Sequence, residues 1–431
     1  MAKREPLRLH PHPRPVFPWI IWLLSSLFQV YRQMLIVAPI VMIPELEKNL
    51  KISQADIGIV ISMAIVPLFL FQIPFGILID KYGPRRITSA AIFTTALGSL
   101  IFALSYNTLS ASFGRVLIGI GGAASFVNVV KIISNWFKPK HFATILGATL
   151  SLGMIGMLFG ELLVTHHIKA VGWQTAMIHY TIIGVILSIF YFILVKDKDP
   201  AIRYDMNPKA RDFDFSQSLK KLLKSKQTWI ITAYATFSEA PLPIFIGLWA
   251  IPFLTTFHHF SLFEASFIND FHLISGAIFA PLFGCLSTKI KRRKIFLQLG
   301  TLIAAVIVIL ILYPLSESRF FWISNFFIMG IGGAAIMLCY SLMHERAIPQ
   351  LTATSIAIVN TFFAFFGIAG DQLVALVLDH HSATSFSHHL RFYSAETLQS
   401  SLIRIPIWLA IAFIISFFIK DSKARQKYFE R

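Results

Sequence analysis

Charge is scarce in this chain. Of its 431 residues only 14% are Asp, Glu, Lys or Arg, while 56% are hydrophobic. A soluble domain of this size needs a charged surface, so the composition excludes one and fits a chain that sits in lipid. Acids are scarcer still, 21 against 38 Lys and Arg, for a formal net charge of +17. The cations fall in short segments between apolar runs, so they report membrane topology, and no nucleic-acid partner is expected. Cysteine is nearly absent. Cys285 and Cys339 lie inside apolar runs, which excludes a disulfide framework. Also missing are a glycine-rich nucleotide loop ending in Lys-Ser/Thr, a His-Glu-x-x-His pair and a nucleophile elbow. No enzyme chemistry, cofactor, metal or ATP use is expected, and uphill work must draw on a gradient. The basic, proline-rich start lacks a small-residue cleavage site, so the first apolar run is read as an uncleaved helix.

Apolar length is what the chain has in excess. Mean hydropathy is +0.68, and a spanning helix needs about 20 mostly apolar residues. Twelve candidates follow, at 18–42, 56–79, 87–106, 109–133, 142–165, 174–195, 228–254, 263–287, 295–314, 319–343, 351–378 and 401–420. With both termini cytoplasmic, 30 of the 38 Lys and Arg fall on the inner side and six on the outer, while Arg32 and Arg115 lie within helices. The fold expected is an all-α membrane protein, twelve transmembrane helices in two pseudo-symmetric six-helix bundles. The bundles cover 18–195 and 228–420. A cytoplasmic linker covers 196–227, with a short surface helix near Phe215–Leu223, and tails cover 1–17 and 421–431. The outer segment Asp379–Ser400 holds His380, His381, His388 and His389, read as a solvated loop in preference to a metal or pH site.

The halves repeat each other. Gly119-Ile120-Gly121-Gly122-Ala123-Ala124 recurs as Gly330-Ile331-Gly332-Gly333-Ala334-Ala335, at an offset of 211. Gly160-Glu161 recurs as Gly370-Asp371 at 210, and Gly76 and Arg85 recur as Gly284 and Arg293 at 208. Gly76 opens the densest polar stretch, Gly76-Ile77-Leu78-Ile79-Asp80-Lys81-Tyr82-Gly83-Pro84-Arg85-Arg86. Gly83-Pro84 makes a reversal, and Lys81, Arg85 and Arg86 suit the cytoplasmic side. Asp80, at the end of a buried helix, should be held by a cation or by an opposing helix N-terminus. In the second half Thr288 replaces the acid and no glycine follows.

Polar residues inside the membrane are costly and mark cavities or partners. Ser25, Gln29 and Arg32 follow at spacings of four and three and share a helix face. Glu239 lies at comparable depth in helix 7, beside Pro241 and Pro243, which break the helix only where protein or a cavity covers the freed carbonyls. At the 208 offset Glu239 maps one position from Arg32. The two approach one central space, either around a solute or as a fixed ion pair. Glu161 and Asp371, toward the outer leaflet, are gate or proton groups, or interface acids held by Arg115 or hydroxyls.

The Gly76–Arg86 stretch resembles the signature loop of the major facilitator superfamily: glycine, three residues, Asp, a cation, any residue, Gly, any residue, two cations. In that family the loop joins helices 2 and 3 and latches the two halves of a transporter, which assigns Gly76, Asp80, Lys81, Gly83, Arg85 and Arg86 to a conformational latch. The resemblance also implies a cavity lined by helices 1, 4, 7 and 10. Gln29, Arg32, Asn128 and Glu239 then become the substrate-binding candidates. Arg115 with its following glycines resembles the family's helix 4 motif and carries either proton coupling or helix packing, alongside Glu161, Glu239 and Asp371. The Tyr31-Arg32 pair is similar to that of the organic-phosphate exchangers, but here helix 7 offers an acid. The reading is a secondary transporter working by alternating access, a monomer in the plasma (bacterial inner) membrane, taking up an amino acid, small peptide or organic anion with protons. The alternatives are a proton-coupled drug or metabolite exporter, against which helix 5 lacks the exporters' proline, and a non-transporting membrane sensor.

Overall fold

The computed structural model describes residues 16–50, 53–197, 214–381 and 395–421. Among these the protein is helical throughout. Eleven helices are long and apolar enough to span a bilayer, and a bent pair supplies a twelfth. The helices in chain order are α1 Phe17–Val41, α2 Ile43–Leu50, α3 Gln54–Leu70, α4 Gln72–Tyr82, α5 Pro84–Ala103, α6 Thr108–Gly122, α7 Ala124–Trp136, α8 Phe142–Val171, α9 Trp173–Leu194 and α10 Phe215–Lys224. The remainder are α11 Lys226–Glu239, α12 Pro241–Ile244, α13 Ala250–Phe257, α14 Leu262–Ile290, α15 Arg293–Leu312, α16 Arg319–Gly333, α17 Met337–Arg346, α18 Thr352–His381, α19 Ala395–Leu402 and α20 Arg404–Ser416. The surface helix expected near Phe215–Leu223 is α10. Of the histidine-rich outer segment, expected as a loop, residues 379–381 close α18 and 395–400 lie in α19, so helix reaches in from both ends; 382–394, with His388 and His389, lie outside the described residues.

Prolines explain where the spans depart from straight rods. The second span bends by 44° between α3 and α4. Pro74 has no N–H for the Leu70 carbonyl, so the ladder stops at Leu70 and restarts at Gln72. In the seventh span Pro241 and Pro243 likewise withhold donors from the carbonyls of Phe237 and Glu239. The chain stays helical there, but only as the short α12 followed by a π-helical turn, Phe245–Trp249.

Two compact units emerge. One contains the helices up to Ser225 together with Met343–Ile358; the other contains Lys226–Leu342 and Val359–Asp421. In the first, Phe28, Leu35, Ile92, Phe102 and Trp173 lie within a continuous buried core. In the second, Phe245, Phe253, Val308, Trp322 and Phe326 do the same.

The duplicated glycine motif does the same work in both units. A Cβ on Gly119 would collide with the Ala64 carbonyl of α3, and one on Gly121 with the Ala91 carbonyl of α5. A Cβ on Gly330 would collide with the His272 carbonyl of α14, and one on Gly332 would come within 2.8 Å of the Gly300 oxygen of α15. The motif therefore lets the fourth helix of each half touch the backbones of the second and third. In both halves the helix is interrupted just past the last glycine of the motif, at Ala123 and at the 3-10 turn Ala334–Ile336. Replacing Gly119 by Val is expected to cost roughly 1–3 kcal/mol by overpacking. The check is the apparent melting temperature in detergent, with Gly58→Val as control, since nothing stands within 4 Å of a Cβ there.

Candidate latch and transport site

Asp80 ends the second span on the side where α4 turns into α5. One oxygen takes a bond from Lys131 Nζ at 2.6 Å and one from the Ala353 N–H at 3.2 Å. The other takes the Thr354 N–H at 2.7 Å and the Thr354 hydroxyl at 2.8 Å. Ala353 and Thr354 open α18, so the carboxylate sits on free amides at a helix N-terminus and also faces a cation. The Lys131 and Asp80 side chains are 7% and 0% exposed. Both partners named from the sequence as alternatives are therefore present together. Gly76, one turn earlier, allows the approach: a Cβ there would lie 3.0 Å from both the Thr354 Cα and the Ala357 Cβ.

Gly83 has φ +89°, a region that favours glycine, and a Cβ on it would press on the Asp197 carboxylate. That carboxylate accepts the Arg85 N–H at 2.8 Å. It caps α5 from beyond the last helix of the half, because Gly83 has no side chain to do so. Arg85 Nε donates to the Phe192 carbonyl at 2.6 Å. Lys81 and Arg86 are exposed. The second half keeps the arrangement without the glycine. Lys291 takes the left-handed turn at φ +59°, and the Asp421 carboxylate accepts the N–H groups of Arg293 and Lys294 at 3.1 and 3.0 Å.

Arg115 is fully buried, and its guanidinium donates to the carbonyls of Leu35, Ile36, Val60 and Ile61. The shortest bond, 2.6 Å, goes to Leu35. That carbonyl lies four residues before Pro39, which has no N–H to give it. The arginine thus replaces a missing backbone donor and ties α6 to α1 and α3. These contacts fit the packing reading of its motif.

Three of the substrate-binding candidates lie in the first unit. Asn128 is fully buried, and its Oδ1 accepts the Tyr191 hydroxyl at 2.7 Å, 3.3 Å from the Ser25 hydroxyl. Asn128 Nδ2, Gln29 Oε1 and Arg32 Nε are buried with no hydrogen-bond partner. The Arg32 stem rests on Gly122, where a Cβ would lie 2.8 Å from its Cγ. Buried polar atoms in a folded protein almost always have partners, so such orphans mark a place for a ligand or water. Glu239, half-buried, lies in the second unit, within electrostatic reach of Tyr234, Cys339 and Tyr340. Tyr340 donates to Asn360 at 3.0 Å, and Tyr234 to the Leu297 carbonyl at 2.9 Å. Glu161 falls in α8 and Asp371 in α18, with side chains outside the described residues.

Sequence reasoning missed Lys131, Asp197 and Asp421. Lys131 was counted among the inner-side cations, yet it stands one helical turn from Asn128 inside an apolar run. The two acids had a signal too: Lys196-Asp197 and Lys420-Asp421 each follow the last span of a half.

The chain belongs to the Major Facilitator Superfamily, whose family model matches residues 21–370. It is similar to a hexuronate transporter of Bacillus subtilis (strain 168), 26% identical over 54% of this chain and 56% of that one, so the match spans little more than half of that relative. A probable nitrate transporter, NarT, of Staphylococcus carnosus (strain TM300) is 20% identical over 83% of this chain and 87% of its own. The sodium-dependent phosphate transport protein 1 of Rattus norvegicus is 24% identical over 78% and 76%. Among solved structures, the proton:xylose symporter XylE aligns with a TM-score of 0.68 at 13% identity, covering 95% of this chain and 97% of that one. The E. coli fucose:proton symporter FucP aligns at 0.67 and 14%, covering 93% and 98%. At such identities these two speak for the fold alone. The protein is a multi-pass membrane protein of a transporter family.

Removing one member of a buried ion pair strands the other. Lys131→Met is expected to cost about 3–5 kcal/mol, and adding Asp80→Asn should recover most of it. Thermal denaturation of the two singles and the double in detergent measures this; equal stability of Lys131→Met and wild type would refute the pairing.

Proposed function

We propose that the protein carries a small anion into the cell, driven by protons, and that Arg32 and Asn128 are the donors that hold the anion. The carrying observation is the pair of orphan donors, Arg32 Nε and Asn128 Nδ2, buried in the first unit. A guanidinium offers a planar fork that matches carboxylate, nitrate and phosphate oxygens alike. The three relatives named above carry hexuronate, nitrate and phosphate in their names. These support the organic-anion arm of the sequence reading, extended to inorganic oxyanions, and give no support to amino acids or peptides. Glu239 is then the proton carrier: a protonated acid does not repel an anion, and an ionised one expels it. The two structural neighbours are named as proton symporters, which is consistent with that assignment. Asp80, with Lys131 as its counter-ion, is the latch, and the Asp80→Asn/Lys131→Met double variant should be stable yet slow in transport.

Uptake of labelled glucuronate, nitrate and phosphate into proteoliposomes under an inward proton gradient tests the reading. Arg32→Lys keeps the charge but loses the fork, and should weaken binding by roughly 1.5–3 kcal/mol, about ten- to 150-fold. If Arg32 only neutralised Glu239, the Arg32→Ala/Glu239→Gln double variant would instead recover transport.

Glu239→Gln should abolish accumulation against a gradient while leaving exchange of internal for external solute. Wild-type accumulation in that variant would dismiss Glu239 as the coupling group.

A further inference from the structure

Helix α10 (Phe215–Lys224) opens on Asp214, whose Oδ1 accepts the Gln217 N–H at 3.1 Å. Its apolar residues Phe215, Leu219 and Leu222 recur at one-turn and two-turn spacing and pack on Ile73, Leu351 and Ile358. The apolar stripe is therefore covered. What α10 leaves exposed is Ser216 and Gln217 at its start and Lys220, Lys221, Leu223 and Lys224 at its end, and Lys226 follows, also exposed. Between Phe215 and Lys226 there are four lysines and no acid. Among the described residues none of the four pairs with a carboxylate.

Two features identify what would neutralise them. Only Ser225 separates α10 from Lys226, the first residue of a membrane-spanning helix, so the lysines stand at the bilayer boundary. Leu223 is 40% exposed in their midst, and an alkyl group there gains by entering hydrocarbon, not water. A soluble acidic partner would satisfy the lysines but leave the Leu223 side chain in water.

We propose that the α10 lysines bind the headgroups of anionic phospholipids in the leaflet around the protein. Leu351 and Ile358, on which α10 packs, flank Ala353 and Thr354, the residues that hold Asp80. Lipid bound at α10 thereby steadies the segment that grips the latch acid. The inference does not depend on which solute is carried.

The test uses the full-length protein in phosphatidylcholine vesicles with spin-labelled phosphatidylglycerol or spin-labelled phosphatidylcholine, and reads the motionally restricted fraction of each. Wild type should prefer phosphatidylglycerol, and the preference should fall with added salt. Each lysine near an anionic surface contributes roughly fivefold, so Lys220→Gln/Lys221→Gln/Lys224→Gln should lose at least about tenfold. The same three positions changed to Arg should keep the preference. Lys138→Gln/Lys140→Gln/Lys289→Gln, an equal charge loss at other exposed lysines, should also leave it intact. An unchanged preference in the α10 triple, or an equal loss in both triples, overturns the proposal. So does a fall in melting temperature of the α10 triple in neutral detergent, because the lysines would then be serving an acid of this chain.

Discussion

A carboxylate that leaves water must recover its solvation inside the protein, and Asp80 does so with four donors from two elements. The lysine of α7 and the amides and hydroxyl that open α18 are chemically different, yet they answer the same need. The hairpin Met343–Ile358 lies in the first compact unit, although in sequence it belongs to the second repeat. Gly76 serves the same end sterically, because the α18 backbone reaches Asp80 only if nothing projects from α4 one turn earlier. A lysine alone would have neutralised Asp80 but positioned nothing. The helix end fixes its direction, since backbone amides cannot rotate to follow a moving acid.

The second half shows what the loop is without its acid. Thr288, in the place of Asp80, donates to the Gly284 carbonyl of its own helix at 2.8 Å. A hydroxyl satisfied within its own turn asks nothing of another element. The inherited scaffold persists in Arg293 and in the capping acid, so the two halves agree in backbone and differ in chemistry. In the first half an acid meets the opening of another helix; in the second a hydroxyl stays within its own turn.

Span number and the repeat were legible because both rest on sums over many residues: apolar length, cation asymmetry and recurring glycines. Asp80 was legible as a group in need of a partner, since a buried charge announces its own cost. Its partners were not. Lys131 lies near the end of an apolar run and was counted with the loop cations, and nothing local distinguishes a lysine that reaches back into the protein from one that snorkels outward. The bend at Phe71 could have been read from Pro74, had the missing donor been traced four residues back to Leu70. The same tracing from Pro39 leads to Leu35, and there the donor comes from Arg115, far along the chain. What a proline takes away is local; what replaces it is tertiary, and periodicity carries no information about that.

Asp197 and Asp421 cap α5 and α15 from just beyond the last helix of each half. The third helix of a half therefore receives its cap only after the sixth has been made. More than a hundred residues separate the start of α5 from Asp197, so until that acid is made water must serve the first amides of α5. Two separately expressed halves would keep this cap only if the break falls after Asp197, so that the acid stays with the helix it closes.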